Sequence, residues 1–253
     1  CEVSRLIEES QSSVFNAVQG NISGGYVDIG DAVNRSMQRI QAQQKAQGLT
    51  GVPSGFPTLD GITMGWQPGN LIIIGARPSH GKTAIGLNMA RFAAVERGIP
   101  TAFFSLEMTD MELADRLIAT ESGLPSDMLK GKTKMKKDDW QYLEESIRKL
   151  SKAPLYIDET GAIGITEFTS KAKRMVIEKG AKIIFVDYLQ LMTAPNVNAA
   201  YREQVVSEAS RQLKATAKEL KIPIIAMAQL NRNVVVRQGS SMGRPQLSDL
   251  RDS

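Results

Sequence analysis

Short apolar segments rich in β-branched residues alternate with longer helical stretches over most of the chain, and this alternation restricts the fold more than any other feature. The segments are Leu71 to Gly75, Thr101 to Leu106, Leu155 to Ile157, Lys182 to Asp187 and Pro223 to Ala228. The pattern predicts an α/β fold, a mostly parallel twisted sheet with helices on both faces. Ligands in such folds bind beyond the carboxyl ends of the strands, so functional side chains are expected there.

The composition excludes several classes of protein. With 253 residues and 42% hydrophobic content, the chain has enough apolar surface to form a core, so it is not a disordered tail. The one cysteine, Cys1, excludes an internal disulfide. No apolar run approaches the ~20 residues of a membrane span and no signal peptide is seen, so we expect no membrane association and a location in the cytoplasm.

The charge balance is mildly basic. The net charge of +4 permits a polyanionic partner without requiring one. The densest basic stretch, residues 130–137, is followed at once by Asp138 and Asp139. This favours a solvated loop and helix start over a contact with nucleic acid.

Two regions are predicted, residues 1–48 and 49–253. Residues 1–20 have the apolar spacing of an amphipathic helix, and Asn21 with the glycines after it forms a break. A second helical stretch begins near Asp31, a plausible N-cap, and stops at Gly48. The first helix either folds back on its own domain or docks on a neighbouring copy, and the residues alone favour neither.

The first predicted strand leads into a loop and then an apolar helix, which is the order of a P-loop. The loop residues are Ala76, Arg77, Pro78, Ser79, His80, Gly81, Lys82 and Thr83. Backbone N–H groups and the helix N-terminus can hold phosphates there, Lys82 can reach the β- and γ-phosphates, and Thr83 can offer its hydroxyl to Mg²⁺. Ala76 stands where the usual pattern has its first glycine. His80 fills a variable position of the loop, so we interpret it as incidental rather than catalytic.

Polar side chains end three other predicted strands. Asp187 can hold Mg²⁺ through water, although an aspartate there could also cap the next turn. Glu107 can activate the attacking water or serve as a helix-start charge; we expect its strand to lie next to the P-loop strand. Gln229 can sense a γ-phosphate. Together these residues predict hydrolysis of a nucleoside triphosphate coupled to motion.

Several motifs, in order along the chain, resemble those of the DnaB-type hexameric replicative DNA helicases. They are Thr50 to Phe56 with Leu59 and Asp60, Ala76 to Thr83, Phe104 to Met108, Val186 to Met192, Arg202 to Glu208, Ala228 to Arg232 and Leu247 to Ser253. The resemblance includes Ala76, so this departure from the usual P-loop pattern is also found in the family. The resemblance implies a RecA-like ATPase domain over 49–253, with ATP and Mg²⁺ as cofactors. It implies the roles above for Lys82 and Thr83, Glu107 as the catalytic carboxylate, Asp187 on the Mg²⁺ side and Gln229 as the γ-phosphate sensor.

The resemblance also implies a homo-hexameric ring that moves 5′ to 3′ on single-stranded DNA and unwinds the duplex. Two loops, Thr193 to Arg202 and Gln238 to Ser253, would line the channel, with Arg202, Arg251 and Asp252 at the DNA phosphates. A surface ion pair is the alternative for Arg202. The helix over 1–20 would be the linker helix docked on the adjacent subunit. Primase and a helicase loader are possible partners, in a bacterial cytoplasm that belongs to a cell or to a phage host.

Two family features are expected outside this chain, namely the primase-interacting N-terminal domain and the last strands with the arginine finger. Two rival functions share the nucleotide site. One is a recombinase-type filament ATPase, against which Phe104 to Met108 and Leu247 to Ser253 argue. The other is a nucleotide-dependent assembly module that does not unwind DNA.

Overall fold

The computed structural model describes residues 28–45, 48–193 and 202–230. The predicted helix over 1–20, most of the two predicted channel loops, and Arg251 and Asp252 lie outside these residues. The chain divides into two compact units, Cys1–Gly48 and Leu49–Ser253. Within the described parts, no helix combines the length and the apolar character needed to cross a membrane.

In the first unit, helix α1 spans Ile29–Lys45. The predicted N-cap at Asp31 is wrong, because the carboxylate of Asp28 accepts the Gly30 N–H at 2.7 Å and the helix begins directly after it. Asp31 lies in the first turn, where a negative charge is favourable next to the helix dipole. The apolar side chains Ile29, Val33, Met37 and Ile40 recur at helical spacing and are exposed.

The second unit contains a five-stranded sheet in which every pairing is parallel. Its strands are β1 Leu71–Ala76, β2 Thr101–Ser105, β3 Leu155–Asp158, β4 Ile183–Asp187 and β5 Ile224–Gln229, in the spatial order β1-β5-β4-β2-β3. The predicted parallel sheet is confirmed. The expectation that the second strand lies beside the P-loop strand is wrong, because the chain crosses over two strand positions before it forms β2.

Helices connect these strands. They are α2 Pro57–Thr63, α3 Lys82–Arg91, α4 Asp110–Ser122, α5 Ser126–Leu129, α6 Lys137–Lys152, α7 Ile165–Lys179 and α8 Arg202–Leu220. A π-helical turn, Phe92–Glu96, continues α3, and a 3₁₀ turn, Leu189–Leu191, follows β4. Helix α4 begins with a capping box, in which Thr109 and Glu112 bond each other's backbone N–H groups.

The sheet separates two apolar cores. On one face, Phe104 packs against Phe168 of α7 with ring centres 4.7 Å apart, in a cluster that also includes α8. On the other face, Phe103 stacks on Phe185 at 5.9 Å, in a cluster with α3 and α4. Because successive strand residues point to opposite faces, β2 and β4 are buried along their whole length. The helices therefore cover both faces, as predicted.

The turn-rich segment before β1 is held by close backbone contacts. Val52 and Trp66 form an antiparallel bridge, and the buried carboxylate of Asp60 accepts the Ser54 N–H at 2.8 Å. A Cβ on Gly51 would lie 2.5 Å from the carbonyl oxygen of Trp66, so only glycine fits at that position. The segment leads into β1, which is an edge strand of the sheet.

We expect Phe168→Ala to lower the free energy of unfolding by about 3–5 kcal/mol, because the ring is fully buried against Phe104. The matched control is Ile177→Ala on the same helix, whose side chain is 81% exposed and whose loss should change stability by less than about 0.5 kcal/mol. Urea unfolding of the two variants measures the difference. Equal effects would contradict the assignment of the core.

Candidate active site

The loop between β1 and α3 has the geometry of an anion-binding cradle. Gly81 precedes α3 with a φ of 80°, and a Cβ added there would meet nothing within 4 Å. No side chain among the described residues caps α3, and no acidic residue lies in its first turn. The first N–H groups of α3 therefore have neither a capping side chain nor an acidic neighbour in the first turn among the described residues, and together with the helix dipole they favour a negatively charged ligand.

Lys82, the first residue of α3, is buried in front of β4. Its ammonium lies 2.9 Å from Oδ1 of Asp187, 3.5 Å from Oε2 of Glu107 and 3.5 Å from the ring centre of Tyr188. The contact with Asp187 is an ion pair without hydrogen-bond alignment, and within the described residues neither oxygen of this carboxylate has a hydrogen-bond partner. Asp187 is 1% exposed, so the Lys82 charge compensates a carboxylate that would otherwise be buried without a counter-charge.

Glu107 stands on a tight turn directly after β2. Leu106 donates its N–H to the carbonyl of Asp187 at 2.7 Å, which joins the ends of β2 and β4. The Ser105 hydroxyl closes the turn by donating to the carbonyl of Met108 at 2.6 Å. The Glu107 side chain is 52% exposed while its carboxylate remains near Lys82. It combines access to solvent with a fixed position next to the cradle.

Gln229 ends β5, in register with Ala76 at the start of the P-loop. The side chain of Gln190, in the 3₁₀ turn after β4, bonds the backbone of Gln229 twice. Its Nε2 donates to the Gln229 carbonyl at 2.8 Å, and its Oε1 accepts the Gln229 N–H at 3.1 Å. Sequence reasoning assigned no role to Gln190. The only signal was an uncharged amide three residues after the strand-ending aspartate.

The structure therefore brings together Lys82, Glu107 and Asp187. Gln229 also lies at the carboxyl ends of the strands, on a strand two positions away from the one that Glu107 follows. His80 is exposed, and its Nδ1 lies 2.9 Å from the Pro78 carbonyl oxygen, a contact within the loop itself. Thr83 is half-buried in the first turn of α3. Arg202 is the first residue of α8, and its side chain is outside the described part, as are Arg251 and Asp252.

Asp158 is the last residue of β3, and its carboxylate forms an ion pair with Lys171 at 3.0 Å. Burial alone would raise the pKa of Asp158, but hydrogen bonds from Thr160 and Lys171 and the Lys171 charge outweigh it, so the pKa lies below its usual value. Burial would lower the pKa of Lys171, but Asp158 and Glu167 outweigh this effect and raise it. The pair connects β3 to α7.

No group of three or more histidine, cysteine, aspartate or glutamate side chains suited to a metal ion occurs in residues 28–45, 48–193 or 202–230. A divalent ion at this edge of the sheet would therefore depend on one or two protein oxygens together with ligands from elsewhere. That arrangement is typical of Mg²⁺ in nucleotide sites, where water and phosphate supply the remaining ligands.

Residues 51–253 match the family model of the DnaB-like helicase C-terminal domain. The chain belongs to this family. A replicative DNA helicase DnaB from Leifsonia xyli subsp. xyli is 39% identical over 253 residues, and one from Geobacillus stearothermophilus is 38% identical over 253 residues. Each alignment includes the whole of this chain but only 54% and 55% of the relative. The chain thus spans about half the length of these two relatives.

Solved structures agree with this membership of the DnaB-like family. One, an ATPase domain, has a TM-score of 0.81 and 33% identity, and the match covers 90% of this chain and 79% of that one. Another, described as a DnaB-like replicative helicase and its interactions with primase, has a TM-score of 0.77 and 32% identity over 99% of this chain and 61% of that one. The predicted family and the predicted RecA-like ATPase fold are confirmed.

We expect Lys82→Met to lower the free energy of unfolding by about 3 kcal/mol without nucleotide, because it leaves the carboxylate of Asp187 buried and unpaired. The double variant Lys82→Met/Asp187→Asn should recover most of this loss, because the amide carries no charge. Urea unfolding of the three proteins measures both effects. A double variant less stable than Lys82→Met would show that the unpaired charge is not the cause.

The Asp158 pair predicts a pH dependence. A lowered pKa in the folded state adds stability above the unfolded value of about 3.9, and this contribution is lost as the pH falls through the folded pKa. We therefore expect Asp158→Asn to reduce the free energy of unfolding by about 1 kcal/mol at pH 7 and by progressively less as the pH falls below about 3.9. The raised pKa of Lys171 leaves that side chain charged throughout this range.

The control for this prediction is Asp127→Asn, which breaks the ion pair with Lys132 at 2.9 Å, where both side chains are largely exposed. Solvent screens such a pair, so the control should have little effect at either pH. Chemical unfolding at pH 7 and at acidic pH gives the comparison. A loss for Asp158→Asn that does not shrink in acid would contradict the assigned shift.

Proposed function

We propose that this chain is the motor ATPase domain of a replicative DNA helicase, which hydrolyses ATP with Mg²⁺ to move along single-stranded DNA and separate the duplex. The observation that carries the proposal is the buried ion pair of Lys82 and Asp187 beside the P-loop, with Glu107 facing it. Membership of the DnaB-like helicase family supports the same function.

The residues fit ATP and Mg²⁺. Gly81 leaves the cradle open, and the N–H groups of α3 suit phosphate oxygens. The hydroxyl of Thr83 and the carboxylate of Asp187 would hold Mg²⁺, the latter with two oxygens that lack hydrogen bonds within the described residues. When bound, the ion neutralises charge on the phosphates. Lys82 would exchange its contacts with Glu107 and Asp187 for phosphate oxygens.

Glu107 is our candidate for the general base. Its carboxylate would accept a proton from the water that attacks the γ-phosphorus, while the bond from that phosphorus to the β-phosphate oxygen breaks and ADP leaves. Its position supports this role, since it is half-exposed and within 3.5 Å of the Lys82 ammonium. The amide of Gln229 would bond the γ-phosphate and so distinguish ATP from ADP.

DNA binding and assembly are further parts of the proposal. Arg202, Arg251 and Asp252 would line the channel of a homo-hexamer and bind the DNA phosphates, with no preference for sequence.

Residues 1–48 would connect each subunit to its neighbour through the linker helix, and residues 49–253 would form the motor. One solved relative is described with its interactions with primase, which supports primase as a partner. We further propose a helicase loader as a partner, movement 5′ to 3′ and action in the bacterial cytoplasm, as the family resemblance implies. The relatives from Leifsonia xyli subsp. xyli and Geobacillus stearothermophilus support a bacterial setting.

The test compares steady-state ATP hydrolysis by the assembled protein with and without single-stranded DNA. We expect stimulation by DNA that weakens as salt is raised, because phosphate contacts release counterions. Glu107→Gln should reduce kcat by about 10²–10⁴-fold while ATP still binds, because the amide cannot accept the proton. The matched control Glu144→Gln, on the exposed face of α6, should hydrolyse ATP at the unsubstituted rate.

Strand separation then distinguishes the rival functions. DNA-stimulated hydrolysis with displacement of an annealed strand supports the helicase motor. Stimulation and filaments without displacement would indicate a recombinase-type ATPase. ATP-dependent assembly with no stimulation by DNA would indicate an assembly module, and full activity of Glu107→Gln would remove Glu107 from the mechanism.

A further inference from the structure

We propose that Gln190 is a positioning residue that fixes Gln229 where its amide can bond a γ-phosphate. This inference rests on the proposed function, in which Gln229 distinguishes ATP from ADP. It assigns a task to a side chain on a different strand connection, 39 residues away in sequence.

The two hydrogen bonds between these residues need an amide. The Gln190 side chain donates from Nε2 to the Gln229 carbonyl and accepts the Gln229 N–H at Oε1. A backbone N–H requires an acceptor and a carbonyl requires a donor, so the contact also fixes the orientation of the Gln190 amide. Glutamate of the same length has lost the donor, and methionine of similar size has lost both groups.

The contact lies where the sheet no longer supports β5 on one side. The pairing of β4 with β5 ends at Val186 and Ala226, whereas β5 continues beside β1 as far as Gln229. The Gln190 side chain takes the place of the missing strand at the last residue of β5. Without it, the N–H and carbonyl of Gln229 lose a partner in a half-buried position, and the backbone that carries the Gln229 amide is less restricted.

Gln190 can act as an anchor because its own turn is fixed. The neighbouring residue Leu189 and, two positions on, Met192 are both 2% exposed and belong to the core under α7 and α8. Thr193, next in the chain, forms a parallel bridge to Gly164 through hydrogen bonds of 3.0 Å with Ile163 and Ile165. The turn is therefore held on both sides, and the amide of Gln190 offers Gln229 a rigid partner.

The experiment measures kcat for DNA-stimulated hydrolysis and the affinities for ADP and for a non-hydrolysable ATP analogue. We expect Gln190→Met to lower kcat about tenfold and to reduce the preference for the ATP analogue over ADP by a similar factor. The affinity for ADP should stay within about twofold, because Lys82 and the P-loop are unchanged. Gln190→Glu keeps the length and one hydrogen bond, and it is measured in the same way in case the methionine variant folds poorly.

A double-variant cycle separates positioning from general support of the fold. If Gln190 acts through the side chain of Gln229, then Gln190→Met should have almost no further effect on kcat once Gln229→Ala has removed that side chain. The control Gln212→Met loses a single hydrogen bond, to Glu208 at 3.0 Å on α8, and should leave kcat unchanged.

Three results would overturn the inference. The first is unchanged kcat and nucleotide preference in Gln190→Met and Gln190→Glu, while the unsubstituted protein hydrolyses ATP. The second is an equal loss of kcat with and without Gln229→Ala, which would indicate a merely structural contact. The third is an unsubstituted protein that does not hydrolyse ATP, in which case the proposed function fails and the inference fails with it.

Discussion

A parallel sheet has to bury both of its faces, and the arrangement of the second unit, Leu49–Ser253, follows from this requirement. Parallel strands need long crossovers, the crossovers form helices, and the helices exclude water from the two faces of the sheet. Strands β2 and β4 are accordingly buried along their whole length. Polar and charged side chains cannot be accommodated within these strands, so they are concentrated where the strands end.

At the strand ends the same burial determines the electrostatics. Asp187 is covered almost completely, and a carboxylate in such a position is tolerated only with a compensating charge nearby. Lys82 provides that charge from the first turn of α3. Burying the ion pair costs desolvation of both charged groups, so its net contribution to the free energy of folding is small. Its main consequence is that a lysine and a carboxylate are held together beside the P-loop. The exclusion of polar groups from the faces of the sheet stabilises the core. The same exclusion thus concentrates charged groups at the carboxyl ends of the strands.

The sequence was sufficient for the features that depend on neighbouring residues. The apolar runs predicted the strands, and the strand, loop and helix around Gly81 predicted the cradle, because each is a local pattern. The strand order was predicted incorrectly for β2, since nothing in a strand's own residues says how many positions a crossover spans. The start of α1 was misplaced because Asp28 and Asp31 satisfy the same capping rule. Gln190 could not be predicted because its partner is the backbone of a strand that is distant in sequence. A contact with backbone leaves no pattern in the side chains of the sequence.

Phe103 and Phe104 are adjacent in sequence but serve different cores. Inserting or deleting one residue in β2 would exchange the two faces, so that every side chain after it would meet the wrong neighbours. The same shift would move Glu107 away from Lys82, because the turn after the strand starts from its last residue. Two separate constraints therefore act on the length of β2. The side chains of the strand must keep their alternation between the two faces, and the Glu107 carboxylate must remain near Lys82. Changes in chain length among members of this family should accordingly fall in the crossovers, where neither constraint applies.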